Sequence, residues 1–238
     1  MAHWLLPIAT LTAVAAAATA CGGGDGDGDT GQSRTGGRAA SSDAGYTADQ
    51  LEQALLFEVP GYRRAAEPDS GEYGTLKAIQ NYDRLQRQVK LDKPRCANGG
   101  TGGPSAPLIG RGVPAALASF ARKDGQTVTE TLMAPPAGTA ANQVKSRVPA
   151  GCLTFRSRLG EQWASHRVVE SPPGRIGEGS RTVGVATTGA DSYTRTWYVV
   201  MQGRRFLATV SVFGPKATRA DAEDLARRSL AQAQRILP

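Results

Sequence analysis

A chain of 238 residues that is 40% hydrophobic and 21% charged is long enough to bury one good core and short for several domains. Its formal charge of +7 permits attraction to anionic lipid headgroups, acidic wall polymers or nucleic acid. The excess, however, lies in scattered arginines such as Arg63, Arg64, Arg84, Arg87, Arg204, Arg205, Arg227 and Arg228, the pattern of an ordinary solvated surface.

The chain opens on an uncharged run, Trp4 to Ala20, followed directly by Cys-Gly-Gly-Gly-Asp. That layout is expected of a signal peptide over residues 1–20. A permanent membrane span is the competing reading, but Pro7, Thr10, Thr12 and the alanine-rich second half leave the run short and weakly apolar for a hydrocarbon layer of about 30 Å. Ala18-Thr19-Ala20-Cys21 resembles the lipobox of bacterial lipoproteins, in which small residues fit the peptidase and the thiol of the following cysteine receives diacylglycerol. Cleavage by the general secretory peptidase after Ala20 is the alternative. The resemblance implies lipidation at Cys21 and a place on the outer face of the cytoplasmic membrane, where no nucleic acid is met. Residues 21–45 are glycine, aspartate, serine, threonine and arginine with almost nothing apolar, so ordering entropy is not offset by burial. They read as a flexible tether of roughly 25 to 30 Å. Asp25, Asp27 and Asp29 alternate like calcium ligands, but no bidentate glutamate follows at the required distance.

Residues 46–238 read as one domain. Thr47 and Gln50 have capping-box spacing ahead of Leu51, Ala54 and Leu55, which predicts a short helix to about Phe57, stopped by Pro60-Gly61. Tyr62 to Glu67 is a candidate strand. Leu76, Ile79, Leu85 and Val89 have helical spacing. Cys96 to Pro107 breaks into loop residues. Pro114 suits the first turn of a short helix through Phe120, and Gln126 to Met133 alternates as a strand with Val128 and Leu132 on one face. A helix over Thr139 to Val148 leads to Cys152. Leu153 to Arg158, His166 to Glu170 and Arg181 to Thr187 are further strands. Tyr193 to Met201 and Arg205 to Phe213, joined by Gln202-Gly203-Arg204, form the clearest hairpin. Thr218 and Asp221 then start a closing helix with Ala222, Leu225, Ala226, Ala233, Ile236 and Leu237 as its apolar stripe. Together these predict an α+β fold with a largely antiparallel β-sheet packed by helices on one side and room for a cleft.

With Cys21 assigned to the anchor, Cys96 and Cys152 remain as one candidate disulfide in an oxidising space. Closing the loop between them destabilises the unfolded chain by roughly 4 kcal/mol on the chain-entropy model. Two buried free thiols are the other reading.

The capped first helix, Val59-Pro60-Gly61-Tyr62, Leu91-Asp92-Lys93-Pro94-Arg95-Cys96, the threonine-rich strand, Ala150-Gly151-Cys152, the final hairpin and the closing helix together resemble the secreted lipoproteins of high-GC Gram-positive bacteria that are similar to the PknH-type extracellular sensor domain. The resemblance covers residues 45 to 238. It implies an α/β sandwich with a cleft that takes up an external ligand. One departure is the single candidate disulfide, where some relatives have two.

Chemistry is sparse. After cleavage His166 is the one histidine left, expected as a structural residue of its strand. No nucleophile elbow, Walker loop, His-Glu-x-x-His or zinc cluster occurs, so no catalytic residue, cofactor or metal is assigned. Trp163 and Trp197 are expected in the core. The reading is a non-enzymatic, membrane-anchored extracytoplasmic lipoprotein that binds an unknown envelope ligand. The alternative is an envelope protein-protein interaction lipoprotein with no small-molecule ligand.

Overall fold

The computed structural model describes residues 45–97 and 109–237; the leader, Cys21, the Gly/Asp tether and the Cys96 to Pro107 loop beyond Ala97 lie outside them. All the described residues fall in one compact unit, Ser41–Pro238. They form helices α1 (Ala48–Ala54), α2 (Lys77–Gln88), α3 (Thr139–Lys145) and α4 (Arg219–Ile236). The strands are β1 (Arg63–Arg64), β2 (Asp69–Glu72), β3 (Lys90–Leu91), β4 (Pro114–Ala121), β5 (Thr127–Met133), β6 (Thr154–Leu159), β7 (Gln162–Glu170), β8 (Gly179–Thr188), β9 (Tyr193–Gln202) and β10 (Leu207–Gly214). The strands make one sheet in the order β1-β4-β5-β10-β9-β8-β7-β6-β3, with β2 also paired to β4. Every pairing is antiparallel, so the predicted α+β class is the observed one.

The sheet separates two layers of core. On one face Ala116, Ala118, Phe120, Val128, Leu132, Val199, Met201, Ala208, Val210 and Val212 pack under Leu51 and Ala54 of α1 and Ala222, Leu225, Ala226 and Ala233 of α4. On the other, Ala115, Leu117, Met133, Val200 and Leu207 pack under Leu76, Val144 of α3 and, half-buried, Ile79 of α2. Helices therefore contribute to both faces, where the sequence pattern had placed them on one. The long closing helix alone shows a clear apolar stripe, and short α3 carries too few residues to announce which face it covers.

Local signals hold where they are strong. Thr47 Oγ1 accepts from Gln50 N and Gln50 Oε1 accepts from Thr47 N, the reciprocal cap expected. Thr218 accepts from the Asp221 amide to start α4. Two expectations fail. Pro114 to Phe120 is not a helix but strand β4. Its alanines, good helix formers in isolation, serve here as small strand residues that let α1 approach the sheet closely, and burial on both faces overrides propensity. Pro114 stands at the first strand position, where a missing amide is tolerated. The strand expected over Tyr62 to Glu67 shrinks to Arg63–Arg64, because β1 and β2 share the single partner β4 and the chain between them must step aside.

The sheet's buried face holds a charge-bearing group. Glu130 lies between Val128 and Leu132 on the core side of β5, fully buried. Its carboxyl accepts from Leu56 N at 2.7 Å and from Ser229 Oγ at 2.5 Å, tying the end of α1 to the middle of α4. Burial pushes its pKa from 4.5 to about 7, the two hydrogen bonds and the Arg64 charge opposing that rise. A carboxyl whose folded value is raised takes up a proton on folding. Its contribution is therefore complete below pH 4.5 and is lost as pH rises towards 7, a difference of roughly 3 kcal/mol. Glu130→Gln should flatten this part of the pH dependence of stability. Denaturant titrations at pH 5 and pH 8 check it, and an unchanged slope contradicts the assignment.

Cys96 and Cys152 are bonded, with Cα atoms 5.5 Å apart, and are packed with Val148, Phe155, Val168, Val183 and Val185. Cys96→Ser and Cys152→Ser should each lower stability by an amount on the order of 4 kcal/mol, and the double variant should be no worse. Thermal unfolding of the three variants checks this; unequal single losses point to a packing effect of one sulfur rather than a lost crosslink.

Candidate functional site

Strands alternate their side chains between faces, so β6 to β9 present Phe155, Ser157, His166, Val185, Thr187, Thr196 and Tyr198 on the same face as the α2 layer. Cross-strand register aligns Phe155 with His166 and His166 with Thr187. Helix α2 crosses above them. Between helix and sheet lies a groove of ≈ 240 Å³ whose walls are Tyr82, Gln86, Val89, Leu91 and Ala97. Larger hollows exist, among them one of ≈ 830 Å³ beside Arg64 and Phe57, but that one is open and rimmed by Asp49, Glu52 and Glu67. A mostly apolar cleft with a few convergent polar groups is the better ligand site.

The helix over the groove is lightly held. None of its residues is fully buried, and Tyr82 and Leu85 remain 46% and 45% exposed. Its start is fixed by Lys77 N donating to Asp69 Oδ2 at 2.5 Å, its middle by Arg111 Nη1 on Asp83 Oδ2 at 2.6 Å, and its end by the pairing of β3 with β6. The disulfide secures the far wall: it anchors the segment that continues to Ala97 against the turn Ala150–Cys152. Lys93 Nζ adds bonds to the carbonyls of Gly151 and Thr154, at 3.2 and 2.5 Å. Beyond it, buried Arg181 donates to Glu170 Oε1 at 2.8 Å and to Ser146 Oγ at 2.9 Å, which docks the chain after α3 on the same sheet face.

At the groove floor His166 stacks on Phe155 with centroids 4.6 Å apart. Its Nε2 lies 2.6 Å from Ser157 Oγ and its Nδ1 3.0 Å from Thr187 Oγ1. Serine beside imidazole invites comparison with a nucleophile and its base. The orienting group here is a neutral hydroxyl, not the carboxylate that stabilises imidazolium in a hydrolytic triad. Burial lowers the His166 pKa below 6.5, only partly offset by the Asp92 charge. The geometry thus holds the imidazole between two hydroxyls, each ring nitrogen within hydrogen-bond distance of one. Tyr198 adds a hydroxyl that burial, with Tyr82 nearby, pushes up to about 12, so it remains protonated. Among the described residues no cluster of three or more metal-ligating side chains occurs, and no helix is long and apolar enough to cross a membrane.

The site was only partly visible in the sequence. His166 was identified as a strand residue, and the structure makes it the centre of the groove floor. Of its partners, Ser157 had an overlooked signal in the two-residue turn Gly160-Glu161 that pairs β6 with β7, whereas Thr187 comes from across a longer connection and carries no such spacing. Alternation places Glu130 at core parity between Val128 and Leu132; a glutamate at that parity was the overlooked signal. Trp197 is half-buried against the core and lies over Gly184, where an added Cβ would sit 2.7 Å from the indole, as an aromatic strand residue should. Trp163, expected in the core, is 42% exposed, because among the described residues no helix covers its face of the strand.

The His166 imidazole should titrate with a midpoint below 6.5, and Asp92→Asn should lower it further by removing the charge that offsets burial. Proton NMR of the ring resonances reads both; a wild-type midpoint above 6.5 contradicts the described environment.

No protein family model matches the chain, and no curated protein does. Among solved structures, the extracellular domain of PknH from Mycobacterium tuberculosis matches with a TM-score of 0.58 over 81% of this chain and 99% of that domain, at 14% identity. An uncharacterised protein from Mycobacterium smegmatis matches 80% of this chain and 97% of its own, with a TM-score of 0.44 and 16% identity. The resemblance carried by the Pro-Gly-Tyr turn, the Lys-Pro-Arg-Cys segment and Ala150-Gly151-Cys152 is therefore one of fold: the chain has the architecture of the PknH-type extracellular sensor domain.

Proposed function

We propose that the chain is an extracytoplasmic, lipid-anchored binding module without catalytic activity, whose groove between α2 and the sheet takes a small, largely apolar envelope ligand. The observation that carries this reading is the groove itself: an aromatic-lined hollow with His166, Ser157, Thr187 and Tyr198 converging on one side under a helix with no buried residue. A lightly held cover is what entry of a ligand requires. The volume suits a compact molecule or one acyl or isoprenoid segment rather than a large cofactor.

The anchoring half of the proposal rests on Cys21 at the end of the uncharged Trp4 to Ala20 run, since a diacyl group holds a protein on a membrane where one chain does so only marginally. The outward location agrees with a disulfide between Cys96 and Cys152 and with the extracellular origin of the PknH domain that shares the fold. The same reading takes the Ser157–His166–Thr187 array, whose third member is a neutral hydroxyl, as a binding arrangement rather than a catalytic one.

A thermal-shift screen of the exported protein against envelope lipids and wall fragments tests the groove. A ligand at a hundred times its dissociation constant should add about 2.7 kcal/mol, and Thr196→Phe, which fills the floor, should abolish the gain. A shift that survives in Thr196→Phe places the ligand elsewhere, and the absence of any shift favours the protein-interaction alternative. Separately, Cys21→Ser should move the protein from membranes into the medium; retention on membranes contradicts lipid anchoring.

A further inference from the structure

Among the described residues, the face opposite the groove on β3, β6, β7 and the far ends of β8 and β9 is covered by no helix, since α4 packs on β10, the rest of β9 and the near part of β8. Register lines its side chains into rows: Lys90, Arg158 and Trp163; then Arg156, Ser165, Thr188 and Tyr193; then Thr154, Arg167, Ala186 and Arg195. No strand position in these rows is acidic. None of the five cations is ion-paired among the described residues. Four are exposed, Arg158 half so. Such scattered positions in the sequence become one patch because strands lie about 4.8 Å apart, so five strands spread the charges over about 20 Å.

Two aromatic rings sit among the cations. The Arg156 and Arg158 guanidinium carbons lie 4.6 and 5.6 Å from the Trp163 ring centroid, and Arg195 Nε donates to Tyr193 Oη at 2.5 Å. Between Arg156, Arg167 and Tyr193 the small side chains Ser165, Ala186 and Thr188 leave an open hollow of ≈ 550 Å³. Asp92 is the one acid on its rim, and its Oδ1 is already engaged by the Arg156 amide at 2.8 Å.

We infer that this cationic, aromatic sheet face docks on an anionic membrane surface, its arginines engaging lipid phosphates and Trp163 and Tyr193 seated at headgroup level. Guanidinium forks match phosphate oxygens in pairs, and Trp and Tyr favour a boundary that is apolar on one side and wet on the other. The face is broad and open, which fits a surface rather than an enclosed small anion. A second copy of the chain would set five cations against the same five, so charge opposes a two-fold dimer here. The inference is independent of the groove and of its ligand.

The test uses the mature chain, residues 21–238 carrying Cys21→Ser, which has neither the apolar leader nor an acyl group to insert, with vesicles of phosphatidylglycerol and phosphatidylcholine in equal parts and with phosphatidylcholine alone. Sedimentation should show binding to the anionic vesicles only, weakening as salt shortens the screening length. Combined Arg156→Gln, Arg158→Gln and Arg167→Gln should reduce partitioning by about 100-fold, while Arg219→Gln, Arg227→Gln and Arg228→Gln on α4, with the same change in net charge, should leave it within a few-fold. Near-ultraviolet circular dichroism confirms that each triple variant is folded. In the otherwise unaltered fold, vesicles should shift an indole emission that Trp163→Phe removes and Trp197→Phe retains. Equal losses from both triples, equal binding to neutral vesicles, no change in the Trp163 signal, or binding of a soluble polyphosphate without vesicle sedimentation would each overturn the membrane assignment.

Discussion

Helix coverage runs out before the sheet does, and the remaining features of the domain follow from that. Strands β4, β5, β10 and β9 are buried on both faces, with α1 and α4 on one and the α2 and α3 layer on the other. An α-helix of 18 residues reaches about 27 Å, and α4 is spent on the central strands. The wing formed by the far end of β8 with β7, β6 and β3 is left with a partial cover on one face and none on the other. Under the partial cover lies the groove; on the bare face lie the cations and Trp163.

Strand alternation makes the two sides of the wing chemically different without separating them in sequence. Arg156 and Ser157 are neighbours, as are His166 and Arg167, yet each pair is divided between the groove floor and the basic face. A single residue slip in the β6–β7 register would exchange the two surfaces. The β3 pairing and the disulfide next to it hold that register from the edge, where Lys90 and Leu91 meet Arg158 and Ser157. The crosslink therefore serves the site as well as stability, since it fixes the wall against which α2 closes.

The centre of the molecule is tuned differently. Glu130 joins α1 to α4 through the sheet in a place where burial disfavours its charge, and both of its oxygens are engaged by donors. A buried polar group so satisfied specifies which helix position meets which strand position, a role that apolar packing alone performs loosely. Arg64, stacked 5.2 Å above the Phe120 ring and donating to the carbonyls of Leu56 and Phe57, closes the same corner.

The sequence by itself determined the elements whose signals are local: both helix caps, the spacing of α2, the final hairpin, the closing helix with its stripe except Ile236, which is 43% exposed, and, once Cys21 is set aside, the candidate pairing of Cys96 with Cys152. These depend on hydrogen bonds and periodicities within a few residues, or on counting. Only the tertiary structure decided that the alanines of 114–121 form a strand, that helices occupy both faces, that His166 meets Thr187, and that five dispersed cations share one surface. Each of these depends on which strands become neighbours across long connections and on where a helix happens to end, and outside a tight hairpin no stretch of chain encodes its cross-strand partner.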